Sequence, residues 1–217
     1  MPKRIDKEAK KDKIIKAAMK VFARKGVAET KVETVAQKAG IAKGTIYEYF
    51  NSKDELLQSV FNQLLVQMNM HVKQNMAMES TPASKLKAGM LAYIDVDALG
   101  LSDASEIIPD LWSYGIRIRN SKSDIPFDLR WIYLQYRDLF GRTLQEGIDK
   151  GEFRQIDTKS VAAFIVAAAD GFYLQWMSDR KNFDMKKAAT QFANTLLLDW
   201  IVERVFVPRG TTCRDEP

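Results

Sequence analysis

The chain has 217 residues, enough to bury a sizeable core as one long domain or as a small one plus a larger one. Its 46% hydrophobic and 28% charged content is that of an ordinary globular protein, and a single cysteine, Cys213, excludes an internal disulfide framework. The net charge of +5 is unevenly spread: residues 1–53 carry fourteen Lys/Arg against six Asp/Glu, while the remainder is slightly acidic. On charge alone, that basic quarter is either a module that meets a polyanion or a solvated lysine face.

In chain order, the spacing of Ile15, Ala18, Met19 and Phe22 predicts a first helix with one buried stripe, closed by Gly26. Lys3, Arg4, Lys10 and Lys11 form a basic arm at its start. Thr30-Lys31-Val32-Glu33 reads as a capping box that opens a second helix, with Val32, Val35 and Ala36 facing inward. Ala39-Gly40-Ile41 makes a tight turn, and Lys43 to Tyr49 forms a third helix of about two turns. Ser52-Lys53-Asp54-Glu55 is a second capping box, opening a long helix through Leu56, Leu57, Val60, Phe61 and Leu64. A first domain is therefore expected over residues 1–51, joined by this helix and not by a flexible linker to a second domain over 52–206.

In the second part Pro82 starts a helix to about Tyr93, and Tyr93 to Leu101 reads as a helix end and loop. Pro109 breaks or begins a helix before Leu111 and Trp112; Ser121 to Ile125 is a polar loop, and Pro126 suits a first helical position. Trp131, Leu134, Leu139, Phe140, Leu144 and Ile148 mark a long amphipathic helix ending at Gly151. Asp157 caps the next helix and Asp184 the last, which carries Met185, Ala188, Ala189, Phe192, Leu196 and Trp200. Val207–Pro217 lacks any pattern and reads as a disordered tail, with a linker-like opening at Val207-Pro208-Arg209-Gly210. The expected fold class is all-α, about nine helices: an N-terminal three-helix helix-turn-helix domain plus a larger helical ligand-binding and dimerisation domain.

The run from Val32 to Leu57 resembles the DNA-binding domain of the TetR family. It combines an Ala-Gly turn, a Lys-Gly-Thr-x-Tyr-x-Tyr-Phe third helix and a Lys-Asp-Glu-Leu-Leu start to the fourth. Glu146 to Phe153 and Asp170 to Trp176 resemble later segments of the same family, so the likeness spans roughly residues 9 to 206. The resemblance implies that Lys43, Gly44, Thr45, Tyr47 and Tyr49 face the major groove and that Thr30 and Lys53 hold the DNA backbone. The residues agree with this reading. A short helix fits the groove, Gly44 permits close backbone approach, and Lys43 and Thr45 offer donors to base edges. Phosphates suit Lys53, Thr30 and the partly positive starts of the second and fourth helices. For Tyr47 half-burial in the small core stands as a rival reading; for Ile46 and Phe50 burial is preferred.

Val161 to Ala169 is apolar on every face and needs covering all round, either by a partner subunit in a four-helix interface or as the central helix of a monomer. A two-fold homodimer predicts a near-palindromic operator in double-stranded DNA. Met68, His71, Trp112, Trp131, Phe140, Phe172 and Trp176 are candidates for an effector pocket, since methionine and aromatic surface suits an adaptable apolar site, though such spacing also describes plain core. Arg117 and Arg119 either meet an anionic head group or point into water.

The nine-residue apolar run is short of the roughly 20 that a membrane helix needs. No secretory signal is read at the start, so a cytoplasmic protein without a membrane partner is expected. With one histidine and one cysteine, no His/Cys metal cluster is expected; nor is a cofactor, and no P-loop, G-x-S-x-G or G-x-G-x-x-G segment occurs. The function these readings add up to is a transcriptional regulator, a repressor released by a small apolar or amphipathic ligand. The alternative is a structural or cell-division factor on the same fold that bridges DNA to a protein partner.

Overall fold

The structure, a computed structural model, describes residues 2–98, 107–118, 129–198 and 201–202. Among the described residues it is all helical, with nine α-helices, a π-helical continuation and one isolated bridge between Phe153 and Val202.

Helix α1 (Pro2–Glu29) is kinked at Gly26, which sits at φ 71° and ψ 161°, a conformation that excludes a side chain without strain. Its buried stripe is Ile14, Ala17, Ala18, Val21 and Phe22, so it lies one residue away from the predicted one, and Ile15 and Met19 are only partly covered. The expected basic arm is helical from Pro2 onward, and Lys11 Nζ lies 5.6 Å from the Phe50 ring centre.

Helix α2 (Val32–Ala39) buries Val32, Val35, Ala36 and Ala39, and Gly40 closes it at φ 64°, with the Ile41 amide donating to the Ala36 carbonyl. The predicted Thr30–Glu33 capping box does not form. Lys31 is the N-cap residue and makes no side-chain cap bond; Thr30 Oγ1 instead donates to the Gly26 carbonyl at 2.7 Å, and Glu33 pairs with Lys43. A carboxylate with a cation in reach gains more from the ion pair than from a neutral amide.

Helix α3 (Lys43–Tyr47) is a single turn and a half, ending two residues earlier than expected. The second capping box forms in altered register. Ser52 accepts from the Glu55 amide at 3.1 Å, while Glu55 Oε2 accepts from the Asn51 amide at 2.7 Å and from its side-chain amide at 2.8 Å. Helix α4 (Lys53–Ala77) then carries Leu56, Leu57, Val60, Phe61 and Leu64 into one continuous core with α1.

Pro82 opens α5 (Pro82–Tyr93) as expected, with a Thr81–Ser84 capping box in front of it. Helix α6 (Ile107–Ile118) holds Pro109 in its first turn, where a missing amide costs nothing. The predicted polar loop at 121–125, Pro126, Arg119 and the tail from Val207 lie outside the described residues.

Helix α7 (Leu129–Asp149) runs to Gly151, at φ 70°. Its buried face is Ile132, Tyr136, Phe140, Thr143, Leu144 and Ile148; Trp131 and Leu134 are exposed, contrary to the predicted stripe. Asp157 caps α8 (Thr158–Ser178) through the Lys159 and Ser160 amides, and Asp184 caps α9 (Met185–Gln191) through the Lys187 amide. The helix then loosens to π geometry over Phe192–Leu198.

Helix α8 buries Val161, Ala162, Ile165, Val166, Ala169 and Tyr173, yet leaves Phe164 (55% exposed) and Leu174 bare on its other side. By length and composition it is apolar enough to cross a membrane, which the nine-residue run alone did not indicate. A third of that stretch is buried, and its half-buried Asp170 bonds to Tyr93 of α5, so the helix packs one face into the bundle and leaves one flank uncovered.

Candidate DNA-reading head and effector cavity

The head is built from α1 to α3 and the start of α4. Ile46 and Phe50 are fully buried and pin α3 down from beneath, so the short helix is held by tertiary packing and not by its own hydrogen bonds. Its upper face carries Lys43 and Gly44, both exposed, the half-buried Thr45, and Tyr47 at 47% exposure. A Cβ built on Gly44 meets no atom within 4 Å, so nothing inside the chain requires glycine there. That openness fits close approach by another molecule. Tyr49 is half-buried, with Lys7 Nζ 6.0 Å from its ring centre.

The cations are restrained. Lys43 is ion-paired with Glu33; the shared hydrogen bond raises the lysine pKa and lowers that of the carboxylate. Lys53, in the first turn of α4, reaches back to the Ala28 carbonyl at 3.4 Å and so clips α4 to the end of α1. Thr30 departs from expectation: it is 2% exposed and its hydroxyl is engaged by Gly26, which leaves it unavailable to a phosphate in this conformation.

Two features tie the head to the body. Asp110 of α6 accepts from the Val27 amide at 2.7 Å, and the same carboxylate oxygen lies 3.7 Å from where a Gly26 Cβ would stand. Tyr114, one turn on, takes a hydrogen bond from Gln58 of α4 at 3.3 Å and packs 5.8 Å from the Phe61 ring. Helix α6 thus touches both helices that carry the head.

On its other side α6 walls an internal cavity of about 40 Å³. Ile108, Leu111 and Trp112 come from α6, Leu65 and Met68 from α4, Tyr93 from α5, Ile132, Tyr133 and Tyr136 from α7, and Asp170 and Tyr173 from α8. Tyr93 donates to Asp170 Oδ1 at 3.0 Å, and Tyr133 donates to the same carboxylate while accepting from Trp112. Burial holds the Asp170 carboxyl above the usual carboxylate range, with the two phenols pulling it partly back. Burial likewise pushes the Tyr93, Tyr133 and Tyr136 phenols up, so all three are neutral donors. Tyr93 and Tyr136 meet edge to face at 4.6 Å, and Trp112 and Tyr173 at 5.7 Å.

Of the seven predicted pocket residues, Met68 and Trp112 line this cavity. Trp176 lies outside it, lining an open cleft of about 430 Å³ that also carries Asp95, Asp97, Asp184, Arg180, Lys181 and Lys186, and Arg180 stacks on its ring at 4.8 Å. His71 sits 3.8 Å from Asp95 and beside Asn75, Phe140 is sealed in the core, and Phe172 packs on Phe192. Trp131 is 53% exposed and lines neither the cavity nor the cleft. The Arg117 side chain is outside the described residues. Asp170, Tyr93 and Tyr173 were missed. Their one sequence signal was an aspartate within an apolar helix, which charge counting does not single out.

Residues 14–60 match the family model for bacterial regulatory proteins of the tetR family. The fatty acid metabolism regulator protein of Bacillus subtilis is 26% identical over 82% of this chain and 89% of its own length. Among solved structures, a transcriptional regulator from Saccharomonospora viridis in complex with choline superposes with a TM-score of 0.77 at 20% identity, covering 91% of this chain and all of that one. A second, FadR from Bacillus subtilis in complex with stearoyl-CoA, gives 0.64 at 22% identity over 84% of this chain and 97% of that one.

Proposed function

We propose that the chain, whose residues 14–60 match the tetR model of bacterial regulatory proteins, is a homodimeric repressor of that kind whose grip on its operator is released by a small molecule in the α4–α8 cavity. It is a sequence-specific DNA-binding regulator, and we assign the reading of bases to Lys43, Gly44, Thr45 and Tyr47. The observation that carries the assignment is that Ile46 of α3 and Phe50 just beyond it are buried beneath the helix, while Lys43, Gly44 and Tyr47 are exposed above it with Thr45 half-covered beside them. Lys53 and the uncapped first turn of α2 would meet phosphates, which fix register but carry no sequence information. Tyr49, expected in the groove, lies half-buried beyond the end of α3, so we move it to this backbone-facing set. Thr30 contributes by holding the Gly26 carbonyl and so the entry to α2.

Dimerisation is assigned to the uncovered flank of α8, where Phe164 and Leu174 are exposed and Phe164 packs 5.7 Å from Phe192 beside the π-helical segment. Two copies of such a flank bury each other's aromatics and set two heads against one duplex, so the operator should be near-palindromic. Residues 2–51 form the reading head, and α4 onward the body that senses the effector. The two same-fold regulators with choline and with stearoyl-CoA support a ligand-taking body. A ligand releases DNA only by binding one arrangement of the heads better than another. Helix α6 has the contacts to transmit that preference, with Trp112 in the cavity wall and Asp110 on the head. Each of these features serves binding, so we read no catalytic step into the chain, and a repressor of chromosomal genes works in the cytoplasm.

The test is selection of bound duplexes from a random pool by the full chain. Enrichment of a near-palindromic site is expected, and Lys43→Ala or Thr45→Ala should shift base preference, with about 1–3 kcal/mol of discrimination forfeited at each base no longer read. Absence of enrichment at low ionic strength would refute the reading.

A further inference from the structure

The proposed sensing cavity carries its own indication of what enters it, and this inference rests on that reading. Among the described residues that line it there is one charged group, the Asp170 carboxylate, and no lysine, arginine or histidine. The rest of the wall is aromatic and aliphatic: Tyr93, Trp112, Tyr133, Tyr136 and Tyr173, with Met68 and Leu65 beyond them. A carboxylate in such a place loses its hydration and regains only two neutral hydrogen bonds, from Tyr93 and Tyr133. Arg137, which acts on Tyr133, sits on the solvent side with its Nε donating to the Tyr133 carbonyl, so it does not neutralise Asp170 from within.

We propose that the effector is an organic cation, an alkylated ammonium ion whose head is boxed by the rings of Trp112, Tyr133, Tyr136 and Tyr173 and whose charge is met by Asp170. The electron-rich faces of these rings attract a cation, Trp most strongly, and desolvation strengthens the attraction. An alkylated ammonium suits the site better than a metal ion or a guanidinium. Its charge is spread over methyl groups that prefer aromatic walls, and it asks for few hydrogen bonds, which matches a chamber with one carboxylate. An acidic effector would bring a second negative charge to Asp170 with no cation among the described lining residues to offset it. The cavity holds about 40 Å³, room for roughly one water, so the cation enters by spreading the wall. Helix α6 is the wall element that also bonds the head through Asp110, so the same displacement carries the signal.

The open cleft around Trp176 is the weaker candidate. Its three carboxylates are matched by three cations, and the Trp176 ring is already covered by Arg180.

The experiment is titration calorimetry on the full chain with four probes: choline, its neutral isostere 3,3-dimethylbutan-1-ol, tetramethylammonium and laurate. Binding of choline or tetramethylammonium, with the isostere at least about tenfold weaker, is expected. Asp170→Asn should cost the cations at least about tenfold, while its melting temperature stays level or rises, because a buried carboxylate is replaced by a neutral acceptor. Trp112→Leu should weaken the cations several-fold without restoring the isostere. Equal binding of cation and isostere, indifference of Asp170→Asn, or preference for laurate would overturn the inference. Duplex selection on the same preparation separates the two claims: operator binding without cation binding sinks this inference alone, and cation binding without operator binding sinks the repressor reading.

Discussion

If α6 is the link between body and head, its single hydrogen bond to the end of α1 should be measurable residue by residue. Asp110 Oδ2 accepts from the Val27 amide at 2.7 Å, in a partly buried position next to Gly26 at positive φ. A charge-assisted bond of this kind contributes about 1.5–3 kcal/mol, and partial exposure puts it toward the lower end. Asp110→Ala removes the acceptor and leaves the amide to water. Taking about 1–2 kcal/mol, the local opening equilibrium shifts by roughly 5–30-fold, since about 1.4 kcal/mol is tenfold. Amide hydrogen exchange at Val27 should therefore accelerate by that factor, while amides of the α7–α8 core, such as Leu144 and Ile165, keep their protection. For a chain of this size the melting temperature should fall by roughly 2–8 °C. Asp110→Asn keeps an oxygen acceptor without the charge and should lose about half as much. Unchanged exchange at Val27 in the alanine variant would show that head and body are coupled elsewhere, with Gln58–Tyr114 the next pair to test.

Three further outcomes rest on the packing and charge already described. Lys53→Ala should weaken binding to all duplexes alike and flatten the salt dependence by about 0.9 for each phosphate no longer neutralised, and an unchanged slope removes Lys53 from the groups that meet the backbone. Phe164→Glu places a charge on the bare flank of α8 and should shift the chain from dimer to monomer in sedimentation while its helicity persists; a surviving dimer means the interface lies on another face. Gly147→Ala drives a Cβ into the fully buried Phe153 ring, three of whose atoms it would overlap, whereas a Cβ on Gly89 stands 2.7 Å from the flexible Met76 side chain and only grazes the edge of the Phe140 ring at 2.9 Å. Chemical denaturation should thus rank Gly147→Ala as the costlier change, by about 1–3 kcal/mol or more for an unyielding ring, and the reverse order would refute the packing argument.

Much of the fold was legible in the sequence because its signals are local. Helix starts at Pro82, Asp157 and Asp184 rest on side chains that satisfy amides two or three residues away, and the turn at Gly40 rests on one residue able to adopt positive φ. The Lys-Gly-Thr-x-Tyr-x-Tyr-Phe string likewise states its own chemistry, with small and polar positions alternating with the apolar anchors Ile46 and Phe50. What failed was whatever depended on competition between distant groups. Glu33 had a choice between capping its own helix and pairing with Lys43, and only the approach of α3 settled it for the ion pair. Trp131 and Phe140 both belong to the apolar pattern of α7, yet one is bare and the other sealed, because neighbouring helices cover one arc of the cylinder and not the other. The cavity is the extreme case. Tyr93, Trp112, Tyr133 and Asp170 come from four helices, and no spacing along the chain foretells that two phenols converge on one carboxylate with an indole behind one of them. Local chemistry determined where the helices begin and end; the three-dimensional packing of those helices decided which side chains share a dry interior.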